Sequence, residues 1–420
     1  MLRTTRGRRR KIVLAGIGTK GDLFPLLGLG RELTRRGYAC DLLSNRGYEG
    51  LAESHGLGFR AVTIPQTNNL VSGRDNLDQH VFPSYLPTFE YFTEQLARGE
   101  QLAVINLDEC SASNVMAERH ALPLCRISLA PSAFRSVHRP VYPLNRKLEG
   151  PFAHTYRLYR LPQIYARMDA APFLLGRINP YRAQAGLQPL ERFSQIDRAV
   201  HRRIGFFPAW FAAPQPDWPG PLELVGFPLP PPSSSLDPAL DAFLAREGRP
   251  LVFTPGTGVV DVARFFADAR TCCERLQRPG VFLSPHYRSA DAPPGSRIFH
   301  APFVELAPLL RRSALLVHHG GIGTTARALE AGIPQIIRAR AYDQPDNGDR
   351  VRALGVGALF DPGEHDLERI VQEAARLLES TAVLARLAEL SADIARSDAV
   401  PAAADQVQIA LEQQQFAVGA

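Results

Sequence analysis

The sequence predicts an α/β protein of two similar halves, each a parallel sheet covered by helices on both faces. Three observations carry this expectation: short apolar runs alternate with helical stretches, glycine-rich turns follow several of those runs, and the rhythm stops once near the middle and then restarts. A chain of 420 residues is too long for one ordinary core and fits two or three domains. With 45% hydrophobic and 21% charged residues the composition is that of a globular protein, which excludes global disorder and a coiled coil.

In order along the chain, residues 12–17 read as a buried strand, and Gly18 to Asp22 as a loop entering a helix that contains Pro25. Arg35-Arg36-Gly37 ends that helix, a second strand covers 39–43, and further apolar runs follow at 103–106 and 124–129. Pro228, Pro230, Pro231, Pro232 and Ser233 to Ser235 cannot make regular structure and mark a linker. Beyond it, 251–254 is a strand ending at Gly256-Thr257-Gly258, and 314–317 is a strand ending at His318-His-Gly-Gly-Ile-Gly-Thr-Thr. The stretch 366–415 is helical, interrupted near Pro401. The expected division is a basic flexible tail (1–10), an N-terminal domain (11–227), a linker (228–237), a C-terminal domain (238–400) and a final helix (401–420) packing back on the first domain.

The formal charge of +6 equals the six cations Arg3, Arg6, Arg8, Arg9, Arg10 and Lys11, so the remaining body is neutral, the charge does not by itself argue for nucleic-acid binding, and no nucleic-acid partner is expected. The tail is either a solvated arm or a contact for anionic lipid. Five cysteines form neither a CxxC pair nor a zinc spacing, and no apolar run is long enough for a signal peptide or a span. The expectation is a cytoplasmic protein, at most peripheral to the inner face of the membrane, with its oligomeric state open.

Two constellations bear chemistry. Gly16-Ile-Gly18-Thr-Lys-Gly21 matches GxGxxG after a strand, with Asp41 20 residues beyond, so an NAD-dependent oxidoreductase is one reading. In the second half, the glycines after His318 leave backbone N–H groups open at a helix N-terminus, a setting for an anion to which a histidine adds a donor. Gly256 and Thr257 end the neighbouring strand and would face the same anion. Neither loop contains Gly-Lys-Ser/Thr, which disfavours a P-loop. Asp343 and Gln344 would project into the same cleft and bond vicinal hydroxyls. The plain alternative for His318 and His319 is a capping or core role.

Phe303-Val304, the His318 to Thr325 loop and Asp343-Gln344-Pro-Asp-Asn347 together resemble the donor signature of the nucleotide-sugar-dependent glycosyltransferases, which include plant, antibiotic and sterol enzymes. The loop Gly18-Thr19-Lys-Gly21-Asp22 looks like their acceptor-side loop. The resemblance spans Lys11 to about Ser391 and implies a GT-B fold, two Rossmann-like domains facing each other across a cleft. It implies that Phe303 stacks on the base, that the Val304 backbone reads the base edge, and that Gly256, Thr257, His318, Gly320, Gly321, Gly323 and Thr324 hold the diphosphate. It further implies that Asp343 and Gln344 hold the sugar, and that Asp22 is the base of an inverting transfer without a metal or other cofactor. Ala326 replaces a glutamate frequent in plant relatives, which is compatible with a deoxyribose donor, and Leu306 replaces a frequent glutamine. N-capping is the alternative role for Asp22.

The segment from Phe206 through Trp210 to Trp218 looks most like the rhamnosyltransferases of rhamnolipid synthesis. The expectation is therefore transfer of L-rhamnose from dTDP-rhamnose to a hydroxylated lipid, a hydroxyalkanoyloxyalkanoate. Sugar transfer to a sterol, polyketide or phenolic aglycone is the alternative, and a non-catalytic sugar-nucleotide binder a further one. Phe82, Tyr85, Phe89, Tyr91 and Phe92, with Tyr156, Tyr159 and Tyr165, would line an apolar acceptor pocket or else pack a helical core. Asp108 lies at a strand end near the base, suited to orienting it or to capping.

Overall fold

The computed structural model describes residues 10–64, 76–145, 153–231, 236–256, 262–287 and 297–418. Most of the tail, part of the proline-rich linker (232–235) and Thr257 lie outside these ranges. The first half contributes β1 (Lys11–Ala15), β2 (Cys40–Asn45), β3 (Gly58–Thr63), β4 (Leu102–Leu107), β5 (Leu124–Ser128), β6 (Arg202–Gly205) and β7 (Leu222–Leu224). The second contributes β8 (Leu251–Thr254), β9 (Gly280–Leu283), β10 (Ile298–Ala301), β11 (Leu315–His318), β12 (Gln335–Arg338) and β13 (Gly357–Phe360). All pairings are parallel, in the orders β3-β2-β1-β4-β5-β6-β7 and β10-β9-β8-β11-β12-β13.

These strands are apolar runs rather than alternating ones because helices cover both sheet faces: every residue of β4, β5 and β11 is buried. Each sheet reverses direction once, between β1 and β4 and between β8 and β11. At such a reversal the connections leave to opposite faces and open a crevice at the carboxyl ends of the two central strands. Both glycine-rich loops of the second half, after β8 and after β11, and the Gly16–Asp22 loop after β1 lie at these reversals.

Phe134, Phe207, Phe211 and Phe227 belong to the same apolar cluster as the second-half core, with Trp210 and Trp218 packed against it. Trp218 stacks on Phe134 at 4.7 Å, and Trp210 meets Phe227 edge-on at 5.9 Å. The tryptophan segment that resembles the rhamnolipid enzymes therefore has a packing role of its own.

The last helix, Ala399–Val418, begins before Pro401, so the proline sits in its first turn, where a missing N–H costs nothing, rather than interrupting a helix. Its Ala403, Ala404, Val407 and Ala410 are buried in the first-half core, against the helix Lys20–Arg35. Small side chains permit this close approach. Arg36 anchors it, donating to Asp405 at 2.6 Å, to Gln408 at 2.5 Å and to the Pro401 carbonyl at 3.1 Å. Among the described residues no helix is long and apolar enough to cross a membrane.

Candidate functional site

In the first half, Thr19 caps the helix Lys20–Arg35, and Asp22 answers from the third helical position. The Asp22 Oδ2 accepts from the Thr19 N–H at 2.8 Å and the Thr19 hydroxyl at 2.9 Å. The capping role is thus real, but it engages one carboxylate oxygen. Gly18 makes room for it: a Cβ there would lie 2.5 Å from the Asp22 Oδ2. The loop is held by the Gly18 N–H donating to Asn45 Oδ1 at 3.1 Å. Burial pushes the Asp22 carboxyl above the ordinary aspartate range, against the lowering effect of the Thr19 hydrogen bonds.

Asp108 and Glu109 follow β4, the strand beside β1 at the sheet reversal. Asp108 accepts from Ser128 Oγ at 3.2 Å and from Arg126 Nη1 at 3.4 Å. Enclosure in the cleft, then the charges of Asp108 and Asp22, push the Glu109 carboxyl up to about 8, although water still reaches this side chain. The sequence motifs give Glu109 no role, because nothing local ties it to Asp22, 87 residues earlier.

In the second half the structure corrects the role of His318. Its ring is fully buried at the end of β11, Nε2–H donates to Gln335 Oε1 at 2.9 Å, and Nδ1 accepts from the Gly320 N–H at 3.1 Å. Burial, then the neighbouring His319, pushes it down to about 3. Both ring nitrogens are committed within the fold, so His318 shapes the glycine turn rather than donating to a phosphate. The side chain that faces the loops is His319. A Cβ on Gly256 would lie 3.0 Å from its Nδ1 and one on Gly321 2.6 Å from its Nε2, so the ring occupies the space between the two glycine loops. Among the described residues its Nδ1 has no hydrogen-bond partner, and burial followed by the charge of Arg340 pushes it down to about 4, leaving a neutral imidazole.

The helix Ile322–Glu330 starts at Gly321 with no side-chain cap, which leaves its first N–H groups open beside His319. Gly323 is exposed and Thr324 half-buried in that first turn. Asn347 ties the loop to the next helix, its Nδ2 donating to the Gly320 carbonyl at 2.9 Å and to Asp343 Oδ2 at 2.7 Å. Gln344 Oε1 accepts from the Arg340 and Ala341 N–H groups at 3.0 and 3.2 Å. Asp343 is pushed up to about 6, first by burial and in part by Asp22, with the Asn347 hydrogen bond opposing. The first-half and second-half carboxylates are therefore electrostatic neighbours across one cleft. Phe303 is 74% exposed after β10, while Val304 packs against the second-half core.

The structure bears on two readings that the sequence left open. Phe82, Tyr85, Tyr91 and Phe92 are core residues: Tyr85 stacks on Tyr181 at 4.4 Å and bonds Ser111 Oγ at 2.8 Å. They do not line an acceptor pocket. Tyr165 likewise spends its hydroxyl on the Ser136 carbonyl at 3.1 Å. Asp41, required by the dinucleotide reading, accepts from Tyr91 at 2.6 Å and pairs with Lys11 at 2.5 Å, both through Oδ2, which commits that oxygen to the fold.

Comparison with known proteins agrees with this architecture. Residues 12–131 match the glycosyltransferase family 28 N-terminal domain, and residues 286–411 the erythromycin biosynthesis protein CIII-like C-terminal domain. The O-mycaminosyltylonolide 6-deoxyallosyltransferase of Streptomyces fradiae is 28% identical over 390 residues, covering 89% of this chain and 90% of that protein. The kitacinnamycin glycosyltransferase structure superposes with a TM-score of 0.72 at 18% identity, covering 96% of this chain and all of that one. The spinosyn rhamnosyltransferase SpnG, solved with thymidine diphosphate, has a TM-score of 0.66 at 20% identity, covering 95% of this chain and all of that one. With two such sheets, each reversed at its centre, and glycine loops at the reversals, the chain has the GT-B fold of these glycosyltransferases.

Proposed function

We propose that the chain is an inverting glycosyltransferase that moves a 6-deoxyhexose from a dTDP-activated donor to a hydroxyl of a polyketide-type aglycone. The observation that carries this reading is that Asp22, on the loop after β1, lies near enough to Asp343, on the loop after β12, for its charge to disfavour ionisation of Asp343. A donor sugar held at Asp343 and Gln344 then presents its anomeric carbon toward the half that carries Asp22. Asp22 takes the acceptor hydroxyl proton as the oxygen attacks, and the bond to the diphosphate breaks on the opposite face. The uncapped N–H groups after Gly321 receive the departing diphosphate. Phe303, exposed beyond β10, offers its ring to the nucleobase. Gly256, Thr257, Gly320, Gly323 and Thr324 serve the diphosphate, and Gly18, Thr19 and Gly21 shape the acceptor side.

The deoxysugar and the dTDP carrier are supported by the named activities of the 6-deoxyallosyltransferase relative and of SpnG; Ala326 gives no support, since it is buried in the second-half core and its side chain does not face a ribose. L-Rhamnose is the first candidate sugar. The lipid acceptor loses part of its support, since Phe82, Tyr85, Tyr91 and Phe92 are in the core, while Tyr159 is exposed. The test is mass spectrometry of products from a donor panel (dTDP-rhamnose, other dTDP-6-deoxyhexoses, UDP-glucose) offered macrolide aglycones, hydroxy-fatty-acid dimers and phenols. The expected result is a deoxyhexosylated macrolide with release of dTDP, and product formed with UDP-glucose alone would overturn the donor assignment.

A further inference from the structure

The end of β12 and the loop from it to the helix Gln344–Ala353 carry two arginines with different fates. Arg338 is satisfied: it pairs with Asp268 at 2.9 Å and lies over the Phe265 ring at 5.2 Å. Arg340 is exposed, and among the described residues no carboxylate pairs with its guanidinium; its one bond there is made by the backbone N–H, to Gln344 Oε1. The fold sets this loop against the diphosphate crevice. His318 pairs with Ile337 in register, and a Cβ on Gly320 would lie 3.0 Å from the Gln344 carbonyl, so the Arg340–Gln344 turn abuts the glycine turn after β11.

Among the described residues, the donors at the two glycine turns are neutral: the backbone N–H groups and the His319 imidazole. The first-half side is acidic, with Asp22 near Asp343 and Glu109 near Asp22. A diphosphate that gains charge as its sugar leaves needs a compensating cation, and a planar guanidinium can bond two of its oxygens at once. Arg340 is close enough for its charge to act on His319, the ring between the two glycine loops.

We propose that Arg340, an unpaired guanidinium beside the glycine turn after β11, is the cationic ligand of the donor diphosphate and stabilises it as it departs. This rests on the donor site described above. The exposed position makes Arg340→Gln a fold-neutral variant, which circular dichroism and thermal melting verify. Calorimetric titration of wild type, Arg340→Gln and Arg340→Lys with dTDP, UDP and thymidine tests the proposal. The expected result is dTDP and UDP affinity lower by about ten-fold in Arg340→Gln, partly restored in Arg340→Lys, with thymidine binding unchanged. Diphosphate affinities in Arg340→Gln within about two-fold of wild type would overturn the assignment while leaving the donor site intact. A folded wild type that binds neither diphosphate would overturn the donor site itself, and this proposal with it.

Discussion

Asp343 holds its proton more tightly in the folded chain than in the unfolded one, because burial and the Asp22 charge disfavour its ionised form. The native state therefore binds the extra proton between the ordinary value of 3.8 and about 6, and stability falls as pH rises through that window. Asp343→Asn removes the penalty. Thermal melting at pH 7.5 should show a gain on the order of 1–3 kcal/mol that vanishes near pH 4, while sugar transfer is lost. An unchanged melting temperature at pH 7.5 would mean that Asp343 is not under this strain. At this scale the sequence is informative where a residue's type dictates its chemistry, as with Asp22 in its glycine loop. It is silent where a partner lies far along the chain. The Gln335 that takes the His318 ring away from the ligand follows 17 residues later, and adjacency alone cannot tell whether His318 or His319 turns inward.

The elements that build the site are two strand-to-helix turns made of glycine. Gly320 adopts φ +93°, and a Cβ there would lie 2.6 Å from Ile337 Cγ2, whereas a Cβ on Gly323 would meet open space. Gly320→Ala should destabilise the fold by about 1–3 kcal/mol in denaturant titration and weaken dTDP binding, and Gly323→Ala should leave stability within about 0.5 kcal/mol. Equal effects of the two would refute a requirement for left-handed backbone at Gly320. These turns are legible in the sequence because several glycines directly after a buried apolar run can extend neither the strand nor a stable helix, and so mark a tight change of direction. The aromatic segment is legible too when its spacing is weighed: Phe82, Tyr85, Phe89 and Phe92 recur every three or four residues, the period of one buried helix face.

At the scale of the molecule, the two sheets share one strand order over their first six strands, so each half presents the carboxyl ends of its central strands to a cleft. Alternation of strand and helix carries that much in the sequence. It does not carry the contacts that join the halves: the Phe207, Phe211 and Trp218 wedge, or the Asn145 Nδ2 that donates to Asp349 Oδ2 at 2.8 Å. Those depend on surfaces that exist only once both sheets are formed. The final helix shows the same limit, since its small buried residues read equally as an exposed alanine-rich helix until the first-half core is laid beneath them. The central claim is that Asp22, from one half, acts on a donor bound by the other. It is tested most directly by comparing dTDP affinity and the pH dependence of transfer in wild type and Asp22→Asn. The account predicts unchanged affinity, a kcat lower by about 100-fold or more, and loss of the acid limb of the pH profile, which in wild type lies above the ordinary aspartate range. Full turnover by Asp22→Asn with the wild-type pH profile would contradict it.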